Sequence, residues 1–258
     1  MFSIYSSAFN LIKNKFNYES AISNFSDFAD EVVLAVNTSE DDTLEKLTQL
    51  SKDLPKLKIV SSDFSYSDPL LDGKIKNFAL QSTTQEFKIG LDMDEYIPLS
   101  QKSIWEDLAY SLRFDGVSAI MIPSLNLFKD KSHYSSVTRK WYLHKSGCFR
   151  GAVNFARKAG GTVDTSKSDT CELIDKDGNL VSFRSISPEI EEMRKGTVPF
   201  VVHTGYLSLE NRVIRNKNFW GDHWKVESGG EAPAHKVHLD VNEFTEKCFE
   251  HHLEIGGV

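Results

Sequence analysis

The first half of the chain alternates short apolar segments with longer amphipathic ones, and this alternation restricts the possible folds more than any other feature. EVVLAV, residues 31 to 36, and LKIVSS, residues 57 to 62, have the length and β-branched content of strands. Between strands lie segments whose apolar residues recur at helical spacing, as at about residues 18 to 29. Strands that alternate with helices of about 10 to 15 residues indicate a largely parallel sheet with helices on both faces.

The alternation extends to residue 128 and then stops. The predicted strands cover residues 2–6, 31–36, 57–62, 87–94 and 116–128, and the predicted helices cover residues 18–29, 43–54, 73–85 and 103–113. From residue 129 to 198, aromatic residues, Gly, Ser and charges mix without a sustained period, which predicts an irregular region elaborated on the sheet. We therefore predict an α/β fold with one domain over residues 1–225 and a C-terminal tail over residues 226–258.

Charge and cysteine content narrow the classes of partner. A formal net charge of -7 and a pI of about 5.6 argue against nucleic acid or an anionic membrane surface as a partner. The three cysteines are far apart and form no CxxC motif, so neither a disulfide framework nor a thiolate zinc site is predicted. No apolar run is long enough to be a transmembrane segment, and the N-terminus does not have the pattern of a signal peptide. We expect a cytoplasmic protein with a small-molecule or saccharide partner.

The stretch KIGLDMDEYIPLS, residues 88 to 100, places two carboxylates at the end of an apolar strand. In an extended chain Asp92 and Asp94 point to the same side, and ligands bind outside the carboxyl ends of strands in such sheets. Hard divalent cations such as Mg²⁺ or Mn²⁺ take oxygen ligands, usually one or two carboxylates together with phosphates and water. The motif therefore predicts a metal site with room for a diphosphate, with Glu95 supporting the loop or facing away.

The order of these motifs resembles the GT-A glycosyltransferases, especially the inverting family-2 enzymes. The resemblance is carried by a first strand that ends near an Asn, a second strand that ends in NTSEDDT, a KxxN helix and the sequence LDMDE. It covers about residues 2 to 128 and continues more loosely to HTGYL, residues 203 to 207. The chain is also similar to compact bacterial and large-virus members that decorate surface glycans.

The resemblance implies which residues hold a nucleotide sugar. Residues 1–128 would be the nucleotide-sugar-binding half and residues 129–225 the acceptor-side half. Many members carry Asp where this chain has Asn37. The residues implied to line the nucleotide pocket are Ser6, Ala8, Asn10, Asn37, Ser39, Glu40, Lys74, Asn77 and Asp92. Asp92 would contact the ribose or a metal-bound water, and Asp94 would ligate the metal.

Three further predictions concern the second half of the chain. Inversion requires a carboxylate base, for which SDTCELID, residues 168 to 175, offers Asp169, with Glu172 in reserve. His203 follows an apolar run, and by resemblance it would complete the metal shell. The basic and aromatic run at residues 212 to 225 is interpreted as a lid that pairs with the diphosphate.

Together these features predict a hexosyltransferase-type glycosyltransferase that depends on Mn²⁺ or Mg²⁺. It would move a sugar from a nucleotide-diphosphate sugar to a glycan or glycoconjugate acceptor with inversion. Two alternatives stay open. A metal-dependent nucleotidyltransferase also combines an α/β sheet with paired acids, although the Gly-rich basic loop expected near its first strand is not found in SSAFNLIKNK. A saccharide- or nucleotide-binding module without catalytic activity, which would bind the nucleotide sugar without turnover, is excluded by nothing in the sequence.

Overall fold

The structure, a computed structural model, describes residues 1–65, 71–151, 172–177, 179–215, 249–250, 253 and 255. The first half contains β1 (Phe2–Ala8), α1 (Tyr18–Phe28), β2 (Glu31–Asn37), α2 (Thr43–Asp53), β3 (Leu57–Ser62), α3 (Leu71–Gln81) and β4 (Phe87–Gly90). The remaining elements are β5 (Glu95–Tyr96), α4 (Lys102–Phe114), β6 (Ala119–Phe128), β7 (Asp130–Lys145), β8 (Phe149–Gly151), β9 (Glu172–Ile174), β10 (Phe183–Ser185), α5 (Ile190–Arg194), β11 (Val201–Tyr206) and β12 (Phe249–Glu250).

Most strands belong to one sheet with the order β3-β2-β1-β4-β7-β6-β11-β5. The pairs β3-β2, β2-β1, β1-β4 and β6-β11 are parallel. β7 is antiparallel to both β4 and β6, and β5 is antiparallel to β11. Because β4 and β6 both run opposite to β7, they point the same way, and the sheet is parallel apart from these two strands. The predicted α/β class with a mostly parallel sheet flanked by helices, as in a GT-A fold, is confirmed.

Alternate residues of the central strands enter cores on opposite faces of the sheet. On β1, Ile4 packs in the larger core and Tyr5 in the smaller one. On β2, Val32 and Leu34 belong to the larger core, whereas Val33 belongs to the smaller. Helices α1, α2 and α4 contribute to the larger core, and α3 covers the other face. Burial on both faces explains why these strands are continuously apolar in the sequence.

Strand β7 differs from the irregular structure predicted for the region after residue 128. It forms a hairpin with β6 through Lys129, which has a φ of 68°, and it runs for 16 residues between β6 and β4. Its last part is buried, with Tyr142, Leu143 and His144 at most 1% exposed. The first part, DKSHYSS, is polar and lies beyond the end of β4. Its composition therefore does not predict a strand.

Two other observations bear on the sequence predictions. Among the described residues, no helix has both the length and the apolar character needed to cross a bilayer. Cys148 is a buried free thiol, and burial raises its pKa to about 11. Cys171 and Cys248 lie outside the described residues.

Candidate active site

A cavity of about 290 Å³ opens where β1 and β4 end. Three carboxylates and four basic side chains form its charged lining: Asp72, Asp92, Asp94, Lys76, Lys140, Arg212 and Arg215. The other lining residues are Ser7, Phe9, Leu11, Asn14, Phe16, Met93 and His203. This is the edge of an open α/β sheet at which ligands bind.

The acidic motif forms a tight turn between β4 and β5. The Glu95 amide donates to the Asp92 carbonyl at 3.0 Å, and the Asp92 amide donates to Glu95 Oε2 at 2.9 Å. The buried Glu95 carboxylate also accepts bonds from Tyr142, at 2.7 Å, and from Lys140. Asp92 and Asp94 therefore reach one cavity through a turn stabilised by Glu95, and not through the extended conformation that the sequence suggested. The prediction that Glu95 supports the loop agrees with these contacts.

Asp92 lies between two lysines. Its Oδ1 is 2.8 Å from Lys76 Nζ, and its Oδ2 is 3.7 Å from Lys140 Nζ. Lys76 also contacts Asp72 Oδ2 at 3.0 Å. Burial would raise the pKa of Asp92, but the two ammonium groups outweigh that effect and hold the pKa well below its usual range. Asp92 is consequently ionised at neutral pH.

Asp94 is more deeply buried, with 8% of its surface exposed. Its Oδ2 accepts a bond from Arg215 Nη1 at 2.7 Å, and its backbone carbonyl accepts bonds from the amide and hydroxyl of Thr204 at 2.8 and 3.0 Å. Burial would raise the pKa of this carboxyl, but His203 and Arg215 lower it well below its ordinary value. The carboxylate is therefore held in one position and in its charged form.

Strand pairing brings His203 to the same carboxylate. His203 on β11 lies opposite Glu95 on β5 in the antiparallel register, so its ring reaches the preceding turn. Its Nε2 is 3.4 Å from Asp94 Oδ2, and its Nδ1 is 2.8 Å from Asn126 Oδ1. The Asn126 amide nitrogen is turned to Ser136, so the network assigns the imidazole proton to Nδ1. Asn126 thus uses the Nδ1–H of the ring, and the other ring nitrogen, Nε2, faces the Asp94 carboxylate.

Gly205 keeps the space beside these two groups open. A Cβ atom at this position would lie 2.6 Å from His203 Nε2 and 2.9 Å from Asp94 Oδ2. No cluster of three or more His, Cys, Asp or Glu side chains suited to a metal occurs in the described part of the chain. The residues present fit a hard divalent cation held by Asp94 and His203 together with oxygens of a ligand, because Mg²⁺ and Mn²⁺ commonly bind with phosphates and water.

The residues predicted to hold the nucleotide at the first two strand ends mostly contact one another. Asn10 has a φ of 48°, and its Oδ1 accepts a hydrogen bond from the Glu40 backbone amide at 2.7 Å. The Asn10 backbone amide donates to Ser39 Oγ at 3.1 Å. Asn37 holds the loop after β3, since its side chain bonds Phe64 at 3.0 and 2.9 Å. These contacts join the loops after β1, β2 and β3 at the edge where the cavity opens.

Four of the predicted residues have other surroundings. Ser6 and Ala8 are buried on β1, and the Ser6 hydroxyl has no hydrogen-bond partner among the described residues. On α3, Lys74 is exposed, and Asn77 Oδ1 accepts the Arg150 amide at 3.4 Å. The lysine of α3 that lines the cavity is Lys76, which the sequence analysis did not select. Its only sequence signal is the spacing of four residues from Asp72, which is common on exposed helices.

The proposed bases are the least defined part of the site. Asp169 lies outside the described residues, and of Glu172 the structure describes only the backbone at the start of β9. The predicted lid begins inside the described part, because residues 209–215 are helical and carry Arg212 and Arg215 into the cavity. Residues 216 to 225 of that segment lie outside the described part.

Comparisons with known proteins give structural likeness only. No protein-family model matches the chain, and no curated protein sequence matches it. TarS residues 1–349 from S. aureus in complex with UDP-GlcNAc is similar at 12% identity and a TM-score of 0.42, over 94% of this chain and 77% of that one. The mannosyltransferase PcManGT from Pyrobaculum calidifontis, in complex with GDP-Man and Mn²⁺, is similar at 15% identity and a TM-score of 0.45, over 95% and 72%.

A third similar structure is 4-diphosphocytidyl-2C-methyl-D-erythritol synthase from Anaerococcus prevotii, at 11% identity and a TM-score of 0.35, over 56% of this chain and 69% of that one. At such identities and TM-scores, the likeness does not determine an activity for this chain. The activity has to be argued from the geometry of the cavity.

Proposed function

We propose that this protein is a metal-dependent glycosyltransferase that moves a hexosyl group from a nucleotide-diphosphate sugar to a glycan or glycoconjugate acceptor with inversion. The observation that carries the proposal is the convergence of Asp94 and His203 on one open space, inside a cavity that also holds Lys76, Lys140 and two arginines. A cation site surrounded by further positive charge is suited to an anionic ligand that binds together with the metal.

The charges of the cavity favour a diphosphate. Four basic side chains face three carboxylates there, so the lining is net positive although the whole chain has a formal charge of -7. A divalent cation would increase that excess, and a nucleoside diphosphate group would balance it. The apolar members of the lining, Phe9, Leu11 and Phe16, offer surfaces for a base or a sugar ring.

Within this proposal, each residue has a definite task. A divalent metal held by Asp94 and His203 would act as a Lewis acid that neutralises the departing diphosphate. Asn126 orients His203 by accepting a hydrogen bond from its Nδ1–H. Lys76 holds Asp92 in place beside the ligand space. The acceptor hydroxyl gives its proton to a carboxylate, for which Asp169 and Glu172 are the candidates.

The proposal is tested by a panel of nucleotide sugars containing UDP, GDP or dTDP, each with and without Mn²⁺ or Mg²⁺. A ligand that binds only the native state raises the melting temperature according to its concentration and Kd. We expect a metal-dependent shift for one nucleotide class and slow release of free sugar. A shift without turnover, even when glycan acceptors are added, would favour a binding module. Release of pyrophosphate from a nucleoside triphosphate and a sugar phosphate would favour the nucleotidyltransferase.

Asp94→Asn tests the metal site directly. The substitution keeps the shape of the side chain but removes the charge that pairs with a cation, so we expect the metal-dependent shift to disappear and turnover to fall by at least about 100-fold. Asp53→Asn is the matched control, because it makes the same charge change at an exposed position at the end of α2. Metal-dependent binding that survives in Asp94→Asn would refute the assignment.

A further inference from the structure

Arg215 has an unusual environment for an arginine. It is 8% exposed, and its guanidinium carbon lies 4.6 Å from the centre of the Phe16 ring. Its Nη1 donates to Asp94 Oδ2 at 2.7 Å. The contact uses the same carboxylate oxygen that faces His203 Nε2 at 3.4 Å. Arg215 thus places a positive charge on an oxygen of the carboxylate assigned to the metal.

The hydrogen bonds of Arg215 are incomplete. Its Nε atom is buried and has no acceptor within the described residues. A buried donor without a partner destabilises the folded protein, and such groups in a native structure call for an explanation. Arg215 also lines the cavity, so a rotation of its guanidinium group would bring the unused Nε–H to an anionic ligand there. Guanidinium groups bind phosphate with two parallel bonds, which would satisfy this donor.

We propose that Arg215 is the resident counter-ion of Asp94 and that it exchanges with the divalent cation when the donor binds. In the ligand-free protein, Arg215 pairs with Asp94. With a divalent cation at Asp94, Arg215 would turn to the diphosphate of the nucleotide sugar. The proposal rests on the proposed function, since it takes the cation and the diphosphate as ligands of this cavity.

The exchange makes the two ligands cooperative. Metal alone has to displace Arg215 from Asp94 and leaves a buried cation unpaired, which is costly. Metal together with a diphosphate provides Arg215 with a new partner at the same time. By linkage, each ligand then raises the affinity for the other by the same factor. The ion pair between Arg215 and Asp94 therefore lowers the affinity for free metal when no nucleotide sugar is present.

The test measures Mn²⁺ binding without any nucleotide, from the electron paramagnetic resonance signal of free Mn²⁺. Arg215→Met removes the competing charge while keeping an apolar side chain against Phe16, so we expect Mn²⁺ to bind more tightly, on the order of tenfold. Arg212→Met is the matched control. Arg212 faces the same cavity and lies 4.7 Å from the Tyr206 ring, but it makes no ion pair within the described residues. We expect a smaller change there, about threefold, because the charge of Arg212 acts on Asp94 without a direct contact.

The outcomes separate the two proposals. Tighter Mn²⁺ binding in Arg215→Met that disappears when Asp94→Asn is added supports the exchange. Equal tightening in both arginine variants, or weaker binding in Arg215→Met, overturns the exchange but leaves the metal site. No Mn²⁺ binding by Arg215→Met also overturns the exchange, while the metal site is then judged by the metal-dependent shift with nucleotide sugars. Wild-type Mn²⁺ binding that Asp94→Asn does not change overturns both the exchange and the metal site.

A measurement on the wild-type protein removes any dependence on the stability of the variant. In a protein with ¹⁵N-labelled arginine side chains, the Arg215 Nε–H signal is assigned by its loss in Arg215→Lys. We expect saturating Mg²⁺ to shift this signal. Arg113 serves as an internal reference, because it forms an exposed double contact with Glu86 at 2.8 and 2.5 Å and does not line the cavity. An Arg215 signal that does not move at saturating Mg²⁺ overturns the exchange.

Discussion

At the scale of single residues, Gly205 makes the most specific prediction. Glycine has no side chain that could bind a metal, yet a methyl group at this position would lie within 3 Å of both His203 and Asp94. Gly205→Ala should therefore weaken Mn²⁺ binding by about 10- to 100-fold, in the range found when the surroundings of metal ligands are disturbed. The readout is Mn²⁺ titration followed by electron paramagnetic resonance.

The control for Gly205→Ala is Gly116→Ala. A Cβ atom at Gly116 would meet nothing within 4 Å, so the same chemical change should leave Mn²⁺ binding at its wild-type level. Far-ultraviolet circular dichroism verifies that both variants are folded. If Gly205→Ala binds Mn²⁺ as tightly as Gly116→Ala, the space beside His203 is not the metal site.

The residues of the site differ in how far sequence could predict them. Asp92 and Asp94 follow an apolar strand, and His203 is part of another, so strand periodicity places all three at one edge of a sheet. Arg215 was seen only as part of a basic run. Asn126 and Gly205 gave no signal, because an amide that orients an imidazole and a glycine that leaves space are recognised only from contacts between β6, β11 and the acidic turn.

At the scale of elements, β7 shows where sequence periodicity stops being informative. β1, β2 and β4 are buried on both faces and read as apolar runs, so they were predicted to within a few residues. β7 mixes a polar first part with a buried second part, and its position between β4 and β6 depends on pairing with residues far away in the chain. Such long-range pairing is not encoded in a local period.

His144 connects β7 to β1 through a buried hydrogen-bond chain. Its Nδ1 is 2.9 Å from the Lys145 carbonyl and its Nε2 is 2.9 Å from the Tyr5 hydroxyl, to which Arg150 Nε donates at 2.5 Å. The imidazole is therefore neutral, with a proton on Nδ1, and burial together with the charge of Arg150 lowers the pKa of His144 to about 3. Protonation would require the Tyr5 hydroxyl to stop donating.

This pKa predicts how stability depends on pH. The unfolded chain protonates His144 near its ordinary pKa of about 6.5, while the folded protein does not. The contribution of neutral His144 to the free energy of unfolding is complete above pH 6.5. It decreases as the pH falls towards 3, by up to about 1.4 kcal/mol per pH unit. Between pH 7 and 4.5, the wild type should lose about 2–3 kcal/mol more unfolding free energy than His144→Gln, measured by urea denaturation. Parallel pH profiles for the two proteins would contradict this assignment.

At the scale of the whole molecule, β7 joins the two halves of the predicted single domain. It belongs to residues 129–225, yet it lies in the sheet between β4 and β6 of residues 1–128. Burial on both sides of β7 implies that the halves do not unfold independently. The amides of β2 and β7 should then exchange with deuterium through the same global opening.

Leu143→Ala tests this cooperativity. Leu143 is fully buried on β7, so its truncation should lower the free energy of unfolding by about 2–5 kcal/mol. If the domain is single, hydrogen exchange measured by mass spectrometry will show the same loss of protection in Glu31–Asn37 as in Asp130–Lys145. Phe114 is 74% exposed, so Phe114→Ala should change the free energy of exchange of either segment by no more than about 0.5 kcal/mol. Loss of protection confined to β7, with β2 unchanged, would show instead that residues 1–128 are an independent folding unit, because a cooperative sheet cannot lose one central strand and keep the stability of the others.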